Sequence, residues 1–267
     1  MKRTDACYDT DWEFYDSFYE DVDDLGFYTD LARRTGGPVL EAMCGTGRLL
    51  VPLARAGFEV TGLDSNTMML AQARKKLEGV KAIAGHRVTL VEGDIRNFDL
   101  KKKYRLNILA FSSINHLLTP EDQDRALACI RHHISEEGLL AVASFYPHDD
   151  QPRTEMLDKE VELENGDLLI RYSTLSRDDN EGLLHIAYKW ELEREGRIVR
   201  EHDSELHLRL LRPKQLGALL ENAGFEVLER FGGYRGEPLS SKGDIIVMVA
   251  RKTSDESLPK SIFSERG

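Results

Sequence analysis

The run Val39-Leu40-Glu41-Ala42-Met43-Cys44-Gly45-Thr46-Gly47-Arg48 limits the fold more than any other part of this sequence. It reads as a strand that enters a glycine-rich turn and opens a helix. Such a turn lets backbone amides approach a ligand closely and sets a helix N-terminus beside it. From Pro38 onward, short apolar or β-branched runs alternate with longer amphipathic stretches, the rhythm of βαβ units and a mainly parallel sheet. Strands are expected at Val39–Met43, Glu59–Leu63, Val88–Val91, Leu106–Phe111 and Leu139–Phe145. Between them lie helical stretches at Arg48–Ala56, Thr67–Leu77 and Glu121–Ile134, the last entered through Thr119-Pro120.

After Pro147 the apolar period changes to two. Ile186, Tyr188, Trp190 and Leu192 share one face, as a half-buried antiparallel strand requires. Asn165-Gly166 suits a tight hairpin turn between Val161–Glu164 and Leu168–Thr174, and Glu195-Gly196 suits another. The α/β pattern resumes with a helix at Pro213–Asn222, stopped by Gly224, and with strands Phe225–Phe231 and Asp244–Arg251. No helical pattern separates these two strands, so they are expected to pair antiparallel at the sheet edge. The fold class is therefore α/β: a Rossmann-like doubly wound sheet with an antiparallel last strand pair and an inserted antiparallel sheet after strand five. The expected organisation is an N-terminal helical segment over 1–37, a core over 38–150 and 212–252, the insertion over 151–211 and a polar tail over 253–267.

The 267 residues carry a net charge of −11, which works against a nucleic-acid partner, because phosphate binding needs clustered Lys and Arg. Lys101-Lys102-Lys103 precedes an apolar strand and reads as a solvated turn. No apolar run reaches the length that crosses a bilayer, and the start carries Asp5 and Asp9, so a cytoplasmic protein without a membrane partner is expected. Cys7, Cys44 and Cys129 show neither CxxC spacing nor a neighbouring His cluster; reduced thiols are expected, and no metal.

The glycine turn alone suits NAD as well as S-adenosylmethionine (SAM). The dinucleotide fingerprint needs a third glycine for helix packing, and counting from Gly45 places Leu50 there. Further motifs follow in order: Val60-Thr-Gly-Leu-Asp64-Ser-Asn-Thr-Met-Met-Leu70, Glu92-Gly-Asp94-Ile-Arg and Ala110-Phe-Ser-Ser-Ile-Asn-His116-Leu. With the first run they resemble the class I SAM-dependent methyltransferases, closely from Val39 to Phe145, and Leu219-Leu-Glu-Asn-Ala-Gly-Phe-Glu-Val227 resembles that family's late helix and strand.

The resemblance implies SAM as cofactor, S-adenosylhomocysteine as product, and a set of roles. Glu41 matches the acidic residue near the methionine ammonium. Cys44, Gly45, Thr46 and Gly47 match the turn against the ligand. Asp64, with Ser65 after it, ends strand two, where a carboxylate accepts both ribose hydroxyls. Met69 matches an apolar residue near the adenine face, although helix packing is the commoner use of Met. Asp94 matches the acceptor for the adenine amine, with the Ile95 amide beside it; an Asp after a strand also serves as a turn cap. Met43 replaces the family's first glycine and is expected to point into the core.

The segment from Phe111 to His116 is similar to its counterpart in glycine N-methyltransferase and in the amino-sugar N,N-dimethyltransferases, where a His lies close to the cofactor. That makes His116 the candidate general base, with a capping or core His as its bland alternative, and Tyr146 and His148 as further pocket-facing candidates. Tyr8-Asp-Thr-Asp-Trp-Glu-Phe-Tyr15-Asp-Ser-Phe-Tyr19 resembles the leader helix of the same relatives, which folds tyrosines over the methionine end; helical spacing puts Tyr15 and Tyr19 on one face. Where glycine N-methyltransferase grips its substrate carboxylate with arginine, this chain reads Ser144-Phe145-Tyr146-Pro147, which argues against glycine as acceptor.

The expected activity is methyl transfer to nitrogen or oxygen of a small-molecule acceptor. A methyltransferase acting on protein or tRNA, and a SAM-binding protein without turnover, are the alternatives. The insertion is expected to roof the acceptor pocket or to form a homodimer contact; Arg171, Tyr172, Tyr188 and Trp190 suit acceptor reading less well than packing.

Overall fold

A computed structural model describes residues 8–19, 22–80, 85–147, 153–239 and 244–254. The element order is α1 (Tyr8–Asp11), α2 (Tyr15–Tyr19), α3 (Leu25–Thr35), β1 (Val39–Ala42), α4 (Leu50–Arg55), β2 (Val60–Asp64), α5 (Thr67–Gly79), β3 (Val88–Glu92), β4 (Tyr104–Leu109), α6 (Pro120–His133) and β5 (Ile134–Phe145). An antiparallel meander follows: β6 (Arg153–Glu162), β7 (Leu168–Asp178), β8 (Leu183–Arg194) and β9 (Arg197–Arg209). The chain then closes with α7 (Pro213–Asn222), β10 (Phe225–Phe231) and β11 (Ile245–Lys252).

The main sheet runs β10-β11-β5-β4-β1-β2-β3. β1 to β5 are mutually parallel, and all four residues of β1 are buried, as a central parallel strand covered on both faces requires. The expected antiparallel pair forms, with β11 seated between β5 and the edge strand β10. Asn66 caps α5 by accepting from the amides of Met68 and Met69, and Thr119 caps α6 ahead of Pro120.

Several boundaries move. The first crossover helix begins at Leu50 instead of Arg48, because the glycine turn occupies the residues before it. β5 begins at Ile134, directly after α6, and pairs there with Tyr104 before a register shift at Leu106. The polar Ser135-Glu-Glu-Gly138 therefore belongs to a strand that the apolar pattern places only from Leu139 onward. β6 likewise begins at Arg153, eight residues ahead of Val161.

The two faces of the main sheet carry different cores. α3, α4 and α5 cover one face through Tyr28, Leu31, Leu50, Leu53 and Leu70. On the other, α6 and α7 share a cluster with Leu184, Ile186, Leu206 and Leu208 of the meander, so the proximal half of the insertion is continuous with the main core. The distal half forms a separate cluster of Leu169 and Trp190 with Phe14 and Phe18 from the N-terminal segment. The first helical segment therefore divides: α3 is core, whereas α1 and α2 lie on the inserted sheet.

Candidate active site

The carboxyl ends of β1, β2 and β4 open onto one cleft. Its walls include Glu41, Cys44, Gly45, Asp64, Ser65, Met69, Phe111 and His116, together with Tyr15 of α2. These residues come from four separate sequence stretches; adjacency of the parallel strands brings three of them together, at the edge where open α/β sheets bind ligands, and α2 adds the fourth.

Glu41 lies at the floor. It is 4% exposed, and its Oε2 has no hydrogen-bond partner. Burial weakens it as an acid, raising its pKa to about 8 against a smaller opposing pull from Arg48. Such an orphaned carboxylate in an apolar floor fits a cationic group on a ligand. Arg48 also lines the cleft and is fixed by a two-pronged ion pair to the fully buried Asp24, at 2.5 and 2.6 Å. Asp64 accepts from the Gly45 amide at 2.7 Å and from the Asn66 amide at 2.8 Å, one bond to each oxygen. Gly45 and Gly47 adopt φ of +54° and +75°, and a Cβ on Gly47 would meet Leu50 at 3.0 Å and Ala73 at 3.3 Å. Glu41, the glycine turn, Asp64 and Met69 thus fit the ammonium, hydroxyls and adenine of SAM.

An aromatic group closes the other side. Tyr8 and Tyr15 meet edge to face at 5.8 Å, Tyr15 and Tyr19 lie 4.7 Å apart, and Tyr19 meets Phe111 at 4.9 Å. The Tyr8 hydroxyl lies 3.3 Å from Nε2 of His116, joining residues 108 positions apart. Burial alone lowers the pKa of His116 to about 4, so at neutral pH the ring is uncharged. Phe111 and Ser112 both adopt positive φ, 47° and 64°, a strained turn that carries His116 to the cleft. The neighbouring Asn115 is a structural tie: its amide donates to the carbonyls of Phe145 and Arg209 and its oxygen accepts from the Phe145 amide.

Other expected residues stand back from the cleft lining. Thr46 donates to Asp16 of α2 at 2.6 Å and accepts from Lys76, so it latches the N-terminal segment onto the turn. Gly47 serves helix packing, and Tyr19 supports Tyr15 and Phe111 from behind. The Asp94 carboxylate is engaged by the backbone amide and the guanidinium of Arg96, which also reaches Asp122; these bonds hold Asp94 below the usual carboxylate range. Neither Asp94 nor Ile95 borders the cleft. Tyr146 lines a second depression with Arg177, Arg209 and Arg212, and its hydroxyl accepts from Arg177 at 3.2 Å. His148 lies outside the described residues. Met43 packs against the core but also borders the cleft, with φ of +59°, a backbone conformation that favours glycine.

Sequence reasoning did not single out Tyr8, Arg48, Asn66, Ala110 or Ser113, all of which line the cleft. Tyr8 shares the leader stretch with Tyr15, one helical repeat earlier, and that spacing was the available signal. Arg48 closes the glycine motif itself.

Fold and site together match those of the class I SAM-dependent methyltransferases. Residues 39–138 match the family model described as a methyltransferase domain. The chain is 27% identical over 202 residues to the dTDP-3-amino-3,4,6-trideoxy-alpha-D-glucopyranose N,N-dimethyltransferase of Streptomyces venezuelae, covering 75% of this chain and 80% of that one. It is 26% identical over 256 residues to the glycine/sarcosine N-methyltransferase of Halorhodospira halochloris, covering 90% and 89%. Among solved structures it is similar to SAM-bound CalS10, an amino pentose methyltransferase of Micromonospora echinaspora, with a TM-score of 0.71 and 25% identity over 90% of this chain and 96% of that one.

Proposed function

We propose that this enzyme methylates a nitrogen atom of a small-molecule acceptor that enters as a neutral amine. The observation that carries this reading is the buried, uncharged His116 hydrogen-bonded to Tyr8 at the aromatic side of the cleft. SAM supplies an electrophilic methyl group carried on a sulfonium. Its transfer to an amine would form an N–C bond at the expense of the S–C bond and would move positive charge from sulfur to nitrogen. A cationic His at this place would repel that charge in both positions. A neutral imidazole and the faces of tyrosine rings accommodate it.

In this reading Glu41 pairs with the methionine ammonium, Arg48 with its carboxylate, Asp64 and Ser65 with the ribose, and Met69 with the adenine. Tyr8 and His116 orient the acceptor nitrogen, because holding the nucleophile in line is the main service such a displacement needs. With its pKa near 4, His116 is a poor sink for an ammonium proton, and its role is to accept a hydrogen bond from the incoming amine. The names of the relatives, which act on amino sugars and on glycine and sarcosine, support nitrogen over oxygen.

The test is S-adenosylhomocysteine release with a panel of small amines, amino sugars included, alongside matched alcohols, peptides and tRNA. Turnover with an amine is expected. Turnover confined to alcohols or macromolecules, or tight SAM binding without any turnover, sinks the proposal.

A further inference from the structure

The inserted sheet carries a buried arginine that binds the N-terminal segment as well as its own sheet. Arg171 of β7 is 7% exposed. Its guanidinium carbon lies 4.5 Å from the ring centres of Phe18 and Tyr188, 5.1 Å from Trp190 and 5.4 Å from Tyr19. Nε donates to Asp158 at 2.5 Å, and Nη1 donates to the Tyr19 hydroxyl at 2.9 Å. Two of the four rings, Phe18 and Tyr19, belong to α2. A planar, permanently charged fork suits this combination of stacking and directed hydrogen bonding, which a lysine ammonium does not reproduce.

The contacts of Tyr19 lead onward to the cleft. Its ring packs on Tyr15 at 4.7 Å and on Phe111 at 4.9 Å, and both of those line the site. Arg48, which borders the same cleft, lies 5.8 Å over Phe111. A continuous series therefore runs from Asp158 and Arg171 in the insertion through Tyr19 to the aromatic wall.

We propose that Arg171 is a positioning residue for the cofactor cleft: by holding the Tyr19 hydroxyl from the inserted sheet, it sets the Tyr15–Phe111 wall in the place that retains the bound cofactor. The proposal rests on the assignment of this cleft to SAM. Its signature is coupling. If Arg171 acts through the Tyr19 hydroxyl, removing either partner has the same consequence, and removing both adds little.

The experiment measures S-adenosylhomocysteine affinity and dissociation rate by calorimetry and stopped flow for the full chain and for Arg171→Lys, Tyr19→Phe and the double variant. Melting temperatures are recorded alongside. Tyr19→Phe deletes one oxygen and keeps the ring, so it remains folded even where an arginine variant does not. Each single variant is expected to weaken binding about tenfold, chiefly through faster dissociation, and the double variant by about the same tenfold instead of about a hundredfold. Additive losses, or unchanged affinity in Tyr19→Phe, overturn the proposal. So does an Arg171→Lys variant that lowers the melting temperature while binding normally, because that is the behaviour of a purely structural residue. Failure of the unaltered chain to bind S-adenosylhomocysteine would instead overturn the cleft assignment, which keeps the two outcomes distinct.

Discussion

Replacing Glu41 by glutamine removes a charge that the folded protein carries at a cost. In the unfolded chain a glutamate ionises near 4.5, and in the ligand-free fold burial raises this to about 8. At about 1.4 kcal/mol for each pH unit, the difference amounts to roughly 5 kcal/mol of stability that is present below pH 4.5 and lost as pH rises through 8. The ligand-free protein should therefore melt at falling temperature from pH 5 to pH 8, and Glu41→Gln should flatten that part of the slope. Cofactor binding has the opposite sign. If the ligand ammonium requires the ionised carboxylate, binding expels a proton, and affinity for S-adenosylhomocysteine should be about fiftyfold tighter at pH 8 than at pH 6. Titration calorimetry in buffers of different ionisation enthalpy counts that proton directly. In Glu41→Gln the proton release should vanish, and affinity at pH 8.5 should fall by about 10- to 100-fold through loss of a charge-assisted bond. Affinity independent of pH in the unaltered protein, with no proton released, would refute the argument.

Asp64→Ala should weaken S-adenosylhomocysteine binding by at least about tenfold, since charged hydrogen bonds contribute about 1.5–3 kcal/mol each, and it also strands the Gly45 amide; affinity within twofold of normal would reduce Asp64 to a cap. His116→Ala should lower turnover by about 10²-fold through misplacement of the acceptor nitrogen, with little change in S-adenosylhomocysteine affinity, and Tyr8→Phe should show a smaller loss of the same kind. The reverse pattern, lost affinity with preserved turnover, would place His116 on the cofactor. Because His116 is uncharged above about pH 4, kcat/KM should rise with pH through the ionisation of the acceptor amine and show no inflection from an imidazole between pH 6 and 8; such an inflection, absent from His116→Ala, would contradict its burial. SAM and S-adenosylhomocysteine should each raise the melting temperature and NAD should not.

Convergence of Glu41, Gly45, Asp64, Ser65 and Met69 was legible in the sequence because each lies at a strand's carboxyl end or in the turn and helix that directly follow it, and parallel strands align their carboxyl ends. What escaped the sequence depends on partners far along the chain. Nothing around Asp94 announces that Arg96 turns back to engage it. Nor does the neighbourhood of Arg48 reveal Asp24, a buried carboxylate that precedes α3. Tyr146 sits beyond the end of β5 as expected, but its backbone amide is drawn to the Asp244 carbonyl and its hydroxyl to Arg177, away from His116. The early start of β5 is hidden because Ser135-Glu-Glu-Gly138 offers no apolar alternation; pairing with Tyr104 and Arg251 imposes the strand on it.

The seat of the N-terminal segment sets an order of assembly. Asp11 accepts hydrogen bonds from Trp190, His202 and Ser204, and its separation from Trp190 is 179 residues. A ribosome adding about 5–20 residues per second needs roughly 10–35 s to reach that partner. By the end of that interval β1 to β5 and the glycine turn exist, so the tyrosine segment can meet Thr46, Phe111 and His116 before it gains its seat on the inserted sheet. A stretch synthesised ahead of the main sheet thus completes its contacts only after the inserted meander, whose Trp190, His202 and Ser204 are the last of its partners to be made.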